Sequence, residues 1–149
     1  MTAGDGAADA LARFVRDAGV QLALLMHADG RVIAQQGFTH RVDVATASVL
    51  AAAIQSSTRE LRRFVGDSTL GPVHHAGGER QLFLAPVPEG EPERLVLVVF
   101  DRSSSLGLVR VFWEELVSAL RRDRAAPAPR PEHFERDLQD SLAALFGEA

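Results

Sequence analysis

The chain is predicted to be one α+β domain with the element order αββαβββα, followed by a helical appendage. Helically spaced apolar residues alternate with short apolar runs, and turn residues separate those runs into pairs. A proline-rich segment precedes the last amphipathic stretch. The 149 residues are enough for one core, and a composition of 46% hydrophobic and 24% charged residues is typical of globular proteins.

The first three elements are a helix and a hairpin. Residues 5–18 carry apolar side chains at helical spacing, and Gly19 ends the helix. Residues 20–27 are short and apolar, as in a buried strand. Asp29 and Gly30 favour a tight turn, so residues 31–36 return as the second strand.

A long helix is predicted next, over residues 43–65. Asp43 is suited to the N-cap, and Gly66 to the C-cap. Residues 72–76 and 80–85 then form a strand pair around two consecutive glycines.

The domain closes with a central strand and a helix. Residues 86–92 contain three prolines and are predicted to form an exposed loop. Residues 93–101 are predicted to form a strand around a continuous apolar run, which indicates that the strand is covered on both faces. Serines 103–105 are suited to cap a helix over residues 106–124.

The C-terminal part is predicted to be separate from the domain. Residues 1–124 form the domain, residues 125–131 a semi-rigid proline-rich linker, and residues 132–149 a tail with one amphipathic helix. That helix could dock on its own domain or bind a partner as a helix in a groove. Its apolar stripe consists of Phe134, Leu138, Leu142, Leu145 and Phe146.

Composition excludes several classes of function. The chain has no cysteine, so disulfides, thiol catalysis and cysteine-ligated metals are absent. A net charge of −4 provides no overall attraction to nucleic acid. Residues 1–10 lack the basic and apolar segments of a secretory signal, and the apolar run 95–100 is too short for a bilayer. A cytoplasmic protein without membrane insertion is expected.

No residue pattern indicates a catalytic, cofactor or metal site. The P-loop motif GxxxxGK[ST] does not occur. His74 and His75 are adjacent on a predicted strand, so they point to opposite faces and cannot easily share an ion, although His27 could approach His74 across the sheet. The serines at 103–105 lack a nucleophile elbow.

The middle helix is the most informative element because no charge occurs between Asp43 and Arg59. Its larger apolar residues are predicted to face the sheet: Leu50, Ala53, Ile54, Leu61 and Phe64. The opposite side then presents small residues, which let another helix approach closely; the alternative is that they are helix formers exposed to water. The predicted dimer or partner interface comprises Ala45, Ser48, Ala52, Ser56, Arg59 and Val73, the last on an edge strand.

The element order resembles the Roadblock/dynein light chain family over roughly residues 8–123. Within this family, the bacterial MglB group has a segment similar to residues 100–110 (FDRSSSLGLVR) and a tail similar to the proline-linked tail of this chain. The resemblance implies a Roadblock-type fold: a five-stranded antiparallel sheet with one helix on one face and two on the other.

The resemblance also implies a function. MglB-like proteins are homodimers that act as GTPase-activating proteins for the small Ras-like GTPase MglA in cell polarity and gliding motility. They reorder the catalytic residues of the GTPase and insert no arginine finger, and they can be recruited to a cell pole. Two alternatives stay open: a non-enzymatic Roadblock adaptor, and a small-molecule sensor domain.

Overall fold

The computed structural model describes residues 3–38, 43–67, 71–88 and 92–125. The elements, in chain order, are α1 (Ala3–Ala18), β1 (Leu22–His27), β2 (Val32–Gly37), α2 (Val44–Val65), β3 (Val73–Ala76), β4 (Gln81–Pro86), β5 (Arg94–Phe100) and α3 (Leu106–Ala125). The predicted order αββαβββα is confirmed. Among the described helices, none is long and apolar enough to cross a membrane.

The strands of the described residues form one five-stranded sheet in the order β2-β1-β5-β4-β3, and each pairing in it is antiparallel. Every residue of β5 is buried, which confirms the prediction of a central strand covered on both faces. Its side chains alternate between two cores: Val96, Val98 and Phe100 face one, while Leu95, Leu97 and Val99 face the other.

One face of the sheet is covered by α1 and α3, which lie beside each other. Large side chains fill this core: Phe14 from α1, Trp113 from α3, and Phe83 and Phe100 from the sheet. The rings of Phe83 and Trp113 meet edge to face, with their centroids 5.4 Å apart.

Among the described helices, α2 alone covers the opposite face, so the sheet has one helix on one side and two on the other, as predicted. The predicted caps of α2 are confirmed. Asp43 accepts a hydrogen bond from the Thr46 backbone N–H at 3.2 Å, and Gly66 has the left-handed φ of 72°. The Asp43 carboxylate also accepts from the Thr46 hydroxyl at 2.7 Å, and these bonds lower the pKa of Asp43.

Candidate functional site

The second helix lies on the sheet through small residues. Its buried side chains are Ser48, Ala51, Ala52 and Gln55, and their spacing of three and four residues defines one helical stripe. Ser48 satisfies its hydroxyl within the helix by donating to the carbonyl of Ala45 at 3.0 Å. Three of the four, a serine and two alanines, are short and bring the helix backbone toward a sheet face that is already filled by leucine and methionine; Gln55 is the large buried side chain of the stripe.

The predicted orientation of this helix is therefore wrong. Of the residues expected to face the sheet, only Ile54 packs partly against the core, whereas Leu50, Ala53, Leu61 and Phe64 are exposed. Ser48 and Ala52, expected on the outer side, are 1% and 9% exposed, and so are unavailable to a partner in the folded protomer. Ala45 and Ser56 are exposed.

The large apolar side chains of α2 point to solvent. Phe64 is 88% exposed, and Val49, Leu50, Leu61 and Val65 are 57–58% exposed. They form two groups, one in each half of the helix, and exposed apolar side chains gathered in this way are typical of an interaction surface. The outer face of α2 is defined here as Val49, Leu50, Ala53, Leu61, Phe64 and Val65.

A tight turn supports α2 near its N-terminus. Gly30, in the β1–β2 hairpin, has a φ of 93°, and a Cβ built there would lie 3.0 Å from the Val49 Cα and 3.2 Å from the Ser48 oxygen. The adjacent Asp29 carboxylate accepts hydrogen bonds from the backbone and the side chain of Arg31, which lower its pKa. The predicted Asp-Gly turn is confirmed, and glycine is needed there for both its conformation and its size.

The loop before β5 contacts both α2 and α3. Arg59 of α2 forms an ion pair with Glu93. The buried Arg94 donates a hydrogen bond from Nη2 to the Leu120 carbonyl at 3.3 Å, and Arg124 donates from Nη1 to the Pro92 carbonyl at 2.8 Å. The end of α3, from which the tail continues, is thus held against the same loop that holds α2.

A groove at this end of the sheet is lined by charged groups that already have partners. Arg31 pairs with Asp29 at 2.9 Å, and Arg59 pairs with Glu93. Both guanidinium groups are thus compensated where an anionic small molecule would need them. The groove gives no support to the sensor alternative.

Serines 103–105 have structural roles. Ser105 Oγ accepts a hydrogen bond from the Leu108 N–H at 3.1 Å, which caps α3. Ser104 donates to the Ala18 carbonyl. The hydroxyl and N–H of Ser103 donate to Asp101 and lower the pKa of that carboxyl. Capping by this segment, which was predicted, is confirmed.

In the part of the chain that the structure describes, β3 is one of the two edge strands of the sheet, and β2 is the other. Val73 is partly buried against the α2-side core, whereas the rest of the strand is exposed. The remaining predicted partner-binding residues lie outside the described residues, as does most of the predicted linker. They are Phe134, Leu138, Leu142, Leu145 and Phe146.

The Roadblock/LC7 domain model matches residues 7–100, from α1 to the end of β5. No curated protein matches the chain by sequence.

Solved structures of MglB share the fold. MglB of Myxococcus xanthus is 22% identical, with a TM-score of 0.72 over 80% of this chain and 87% of that one. The gliding protein MglB of Thermus thermophilus is 24% identical, with a TM-score of 0.72 over 81% and 90%. An MglB with a tetrameric arrangement is 24% identical, with a TM-score of 0.73 over 81% and 89%.

Proposed function

We propose that this chain, which belongs to the Roadblock/LC7 domain family, is a homodimeric regulator that stimulates GTP hydrolysis by a small Ras-like GTPase of the MglA type. Members of this family are generally regulators without catalytic activity of their own. The observation that carries the proposal is the exposed apolar outer face of α2. The proposed regulator acts in cell polarity or motility, a role that the similarity to MglB supports.

The outer face of α2 is the surface through which two copies meet in this proposal. Burying a large apolar side chain contributes about 1.5–3 kcal/mol, so Leu50, Leu61 and Phe64 from both copies can offset much of the entropy lost on association. β3 is an edge strand of the sheet that α2 covers, and it can pair with β3 of the second copy to continue the sheet across the dimer. The tetrameric arrangement of one MglB supports self-association as a property of related chains.

The dimer activates its GTPase by differential binding. It binds more tightly to the conformation in which the switch loops and catalytic residues are aligned for hydrolysis, and thereby increases the population of that conformation. No group of this chain enters the chemistry, so no arginine acts as a finger. If a single Arg→Ala substitution abolished stimulation while leaving the affinity of the complex intact, this part of the mechanism would be wrong.

Phe64→Asp tests the dimer. It places a charge on the outer face of α2 and should convert the dimer to monomers at tens of micromolar in analytical ultracentrifugation. Val111→Asp is the matched control, because Val111 is 64% exposed but lies on α3, on the other side of the sheet. A wild-type chain that is monomeric at that concentration, or a Phe64→Asp variant that stays dimeric, contradicts the proposed interface.

Single-turnover GTP hydrolysis tests the regulation. An MglA-type GTPase from the same genome should hydrolyse GTP faster with the wild-type chain, and the Phe64→Asp variant should lose that stimulation. Binding of the GTPase without any change in turnover would instead identify the chain as a Roadblock adaptor. Absence of binding would overturn the proposed partner.

The tail is proposed to bind the GTPase. A helix of its predicted length is marginal alone in water, so its stability depends on the surface it contacts. Truncation after Arg124 should leave folding and dimerisation intact and change complex affinity or nucleotide kinetics. Unfolding of the truncated chain would show that the tail belongs to the core, and unchanged GTPase measurements would exclude this role.

A further inference from the structure

The outward backbone groups of β3 determine how a second copy can pair with it. Gly77 N–H donates to the Arg80 carbonyl at 2.9 Å within the β3–β4 hairpin. Counting back along β3 in steps of two, His75 and Val73 also direct their backbone groups toward β4. In an antiparallel ladder this direction alternates, and therefore His74 and Ala76 present their N–H and C=O groups to the free edge.

Two-fold symmetry restricts the register of such a pair. Directly opposed residues of an antiparallel pair point to the same face of the sheet, and symmetry places each residue and its copy on the same face. Two opposed residues are therefore separated by an even number of positions along the chain. The residue halfway between them then lies opposite its own copy, on the two-fold axis. The central positions of Val73–Ala76 are His74 and His75, and a well-overlapped pair therefore opposes one histidine to itself.

The two histidines differ in how they are held. The His74 Nε2 lies 2.8 Å from the Gln81 Oε1, and its ring is stacked on Phe100 with a centroid distance of 6.3 Å and an interplanar angle of 9°. The Gln81 amide oxygen can only accept, so the tautomer protonated at Nε2 satisfies this contact and leaves Nδ1 for an ion. His75, exposed on the opposite face, makes no such contact with the described residues.

We propose that a first-row divalent cation such as Zn²⁺ binds between His74 of one protomer and the partner's His74 on the two-fold axis. This rests on the proposed homodimer. Opposed Cβ atoms in an antiparallel pair lie about 4.5–5.5 Å apart, which suits two imidazole nitrogens on one ion at about 2.0–2.1 Å each. Ligating histidines characteristically donate their other ring N–H to an oxygen acceptor, which is the role of Gln81 here.

The site is incomplete in one copy. Within the described part of one chain, no three side chains of the metal-binding types come together. The second copy supplies the second imidazole, and water completes the coordination shell. Binding that requires the dimer must also stabilise it: free Zn²⁺ at 100 times its dissociation constant should raise the dimer association constant about 100-fold.

Calorimetric titration of ZnCl₂ into the untagged, chelator-stripped full chain tests the proposal. The expected stoichiometry is one ion per two chains. His74→Ala should abolish this binding and the zinc-dependent gain in dimer association, and His75→Ala, the neighbour on the other face, should retain both. Gln81→Leu should weaken zinc affinity about 10- to 100-fold through loss of ring positioning.

The outcomes separate the site from the dimer. A metal-free dimer that binds no zinc, or whose zinc binding survives His74→Ala, overturns the site and leaves the proposed function standing. Loss of binding in His75→Ala alone overturns it too, because the register is then centred on the other histidine. A chain that is monomeric with and without zinc overturns both proposals. Circular dichroism of His74→Ala and His74→Gln establishes that any loss reflects the imidazole and not unfolding.

Discussion

On one face of the sheet, α1 and α3 bury Phe14, Trp113 and Leu120 against Phe83 and Phe100, and these side chains are 0–9% exposed. On the other face, α2 buries two alanines, a serine and a glutamine, and leaves its phenylalanine and leucines in solvent. The first arrangement concentrates apolar burial inside the protomer. The second leaves large apolar side chains exposed, and under the proposed function they are available to another protein.

This difference predicts opposite consequences for two aromatic residues. Trp113→Ala removes a buried ring that contacts Phe83 and should lower the free energy of unfolding by about 3–5 kcal/mol. Phe64→Ala, at 88% exposure, should change protomer stability by no more than about 0.5 kcal/mol. Urea unfolding at the lowest workable protein concentration measures both. Equal destabilisation would show that the two faces do not differ as described.

Two neighbouring alanines on α2 compare its inner and outer sides directly. Ala52→Glu would bury a carboxylate against the sheet and should cost about 3 kcal/mol of folding stability. Ala53→Glu, on the exposed side, should leave the unfolding midpoint nearly unchanged and weaken self-association. Chemical unfolding and sedimentation distinguish the two effects. A stable Ala52→Glu protein would mean that α2 is rotated relative to the orientation given above.

The contact between α2 and the β1–β2 hairpin should contribute less to the free energy of unfolding. Gly30→Ala should cost about 1–3 kcal/mol, because it combines a positive φ with a close approach to α2. Gly78→Ala is the matched control, since a Cβ there meets nothing within 4 Å and its φ is not positive. Thermal unfolding of both variants checks the difference. Similar melting temperatures for the two would contradict the close contact.

The smallest effect concerns pH and the N-cap of α2. Hydrogen bonds from Thr46 hold the pKa of Asp43 below its ordinary 3.8, so the stabilisation is complete above that value. It is lost as the pH falls through the lower pKa of the folded state. The difference in melting temperature between the wild type and Asp43→Ala should be constant above about pH 5 and should close below pH 3.8. A difference independent of pH would exclude the carboxylate cap.

The element order and the caps could be predicted because local sequence determines them. Asp43, Gly66 and the Asp29–Gly30 turn act through their own backbone conformation and nearby hydrogen bonds. The continuous apolar run of β5 likewise indicates burial on both faces wherever the strand lies. These features do not depend on which residues pack against them.

The orientation of α2 could not be predicted in the same way. The usual expectation is that the larger apolar stripe of a helix faces the core. Here the sheet face already carries Leu22, Leu24 and Met26, and a helix with small residues fits closely on it. The available signal was the stripe of Ser48, Ala51, Ala52 and Gln55, which repeats at helical spacing without a charge. Choosing between two uncharged stripes requires the depth of the opposing surface, which is defined only in the assembled structure.

The position of β5 has a consequence for how the chain assembles during synthesis. β1 and β2 form one hairpin, β3 and β4 form another, and neither strand of the first pairs with a strand of the second. Only β5 joins them, and it is the last of these strands to leave the ribosome. The nascent chain must therefore carry two open hairpin edges until Phe100 has emerged, so this interval, rather than the finished fold, is when a chaperone or a premature partner has its opportunity to bind.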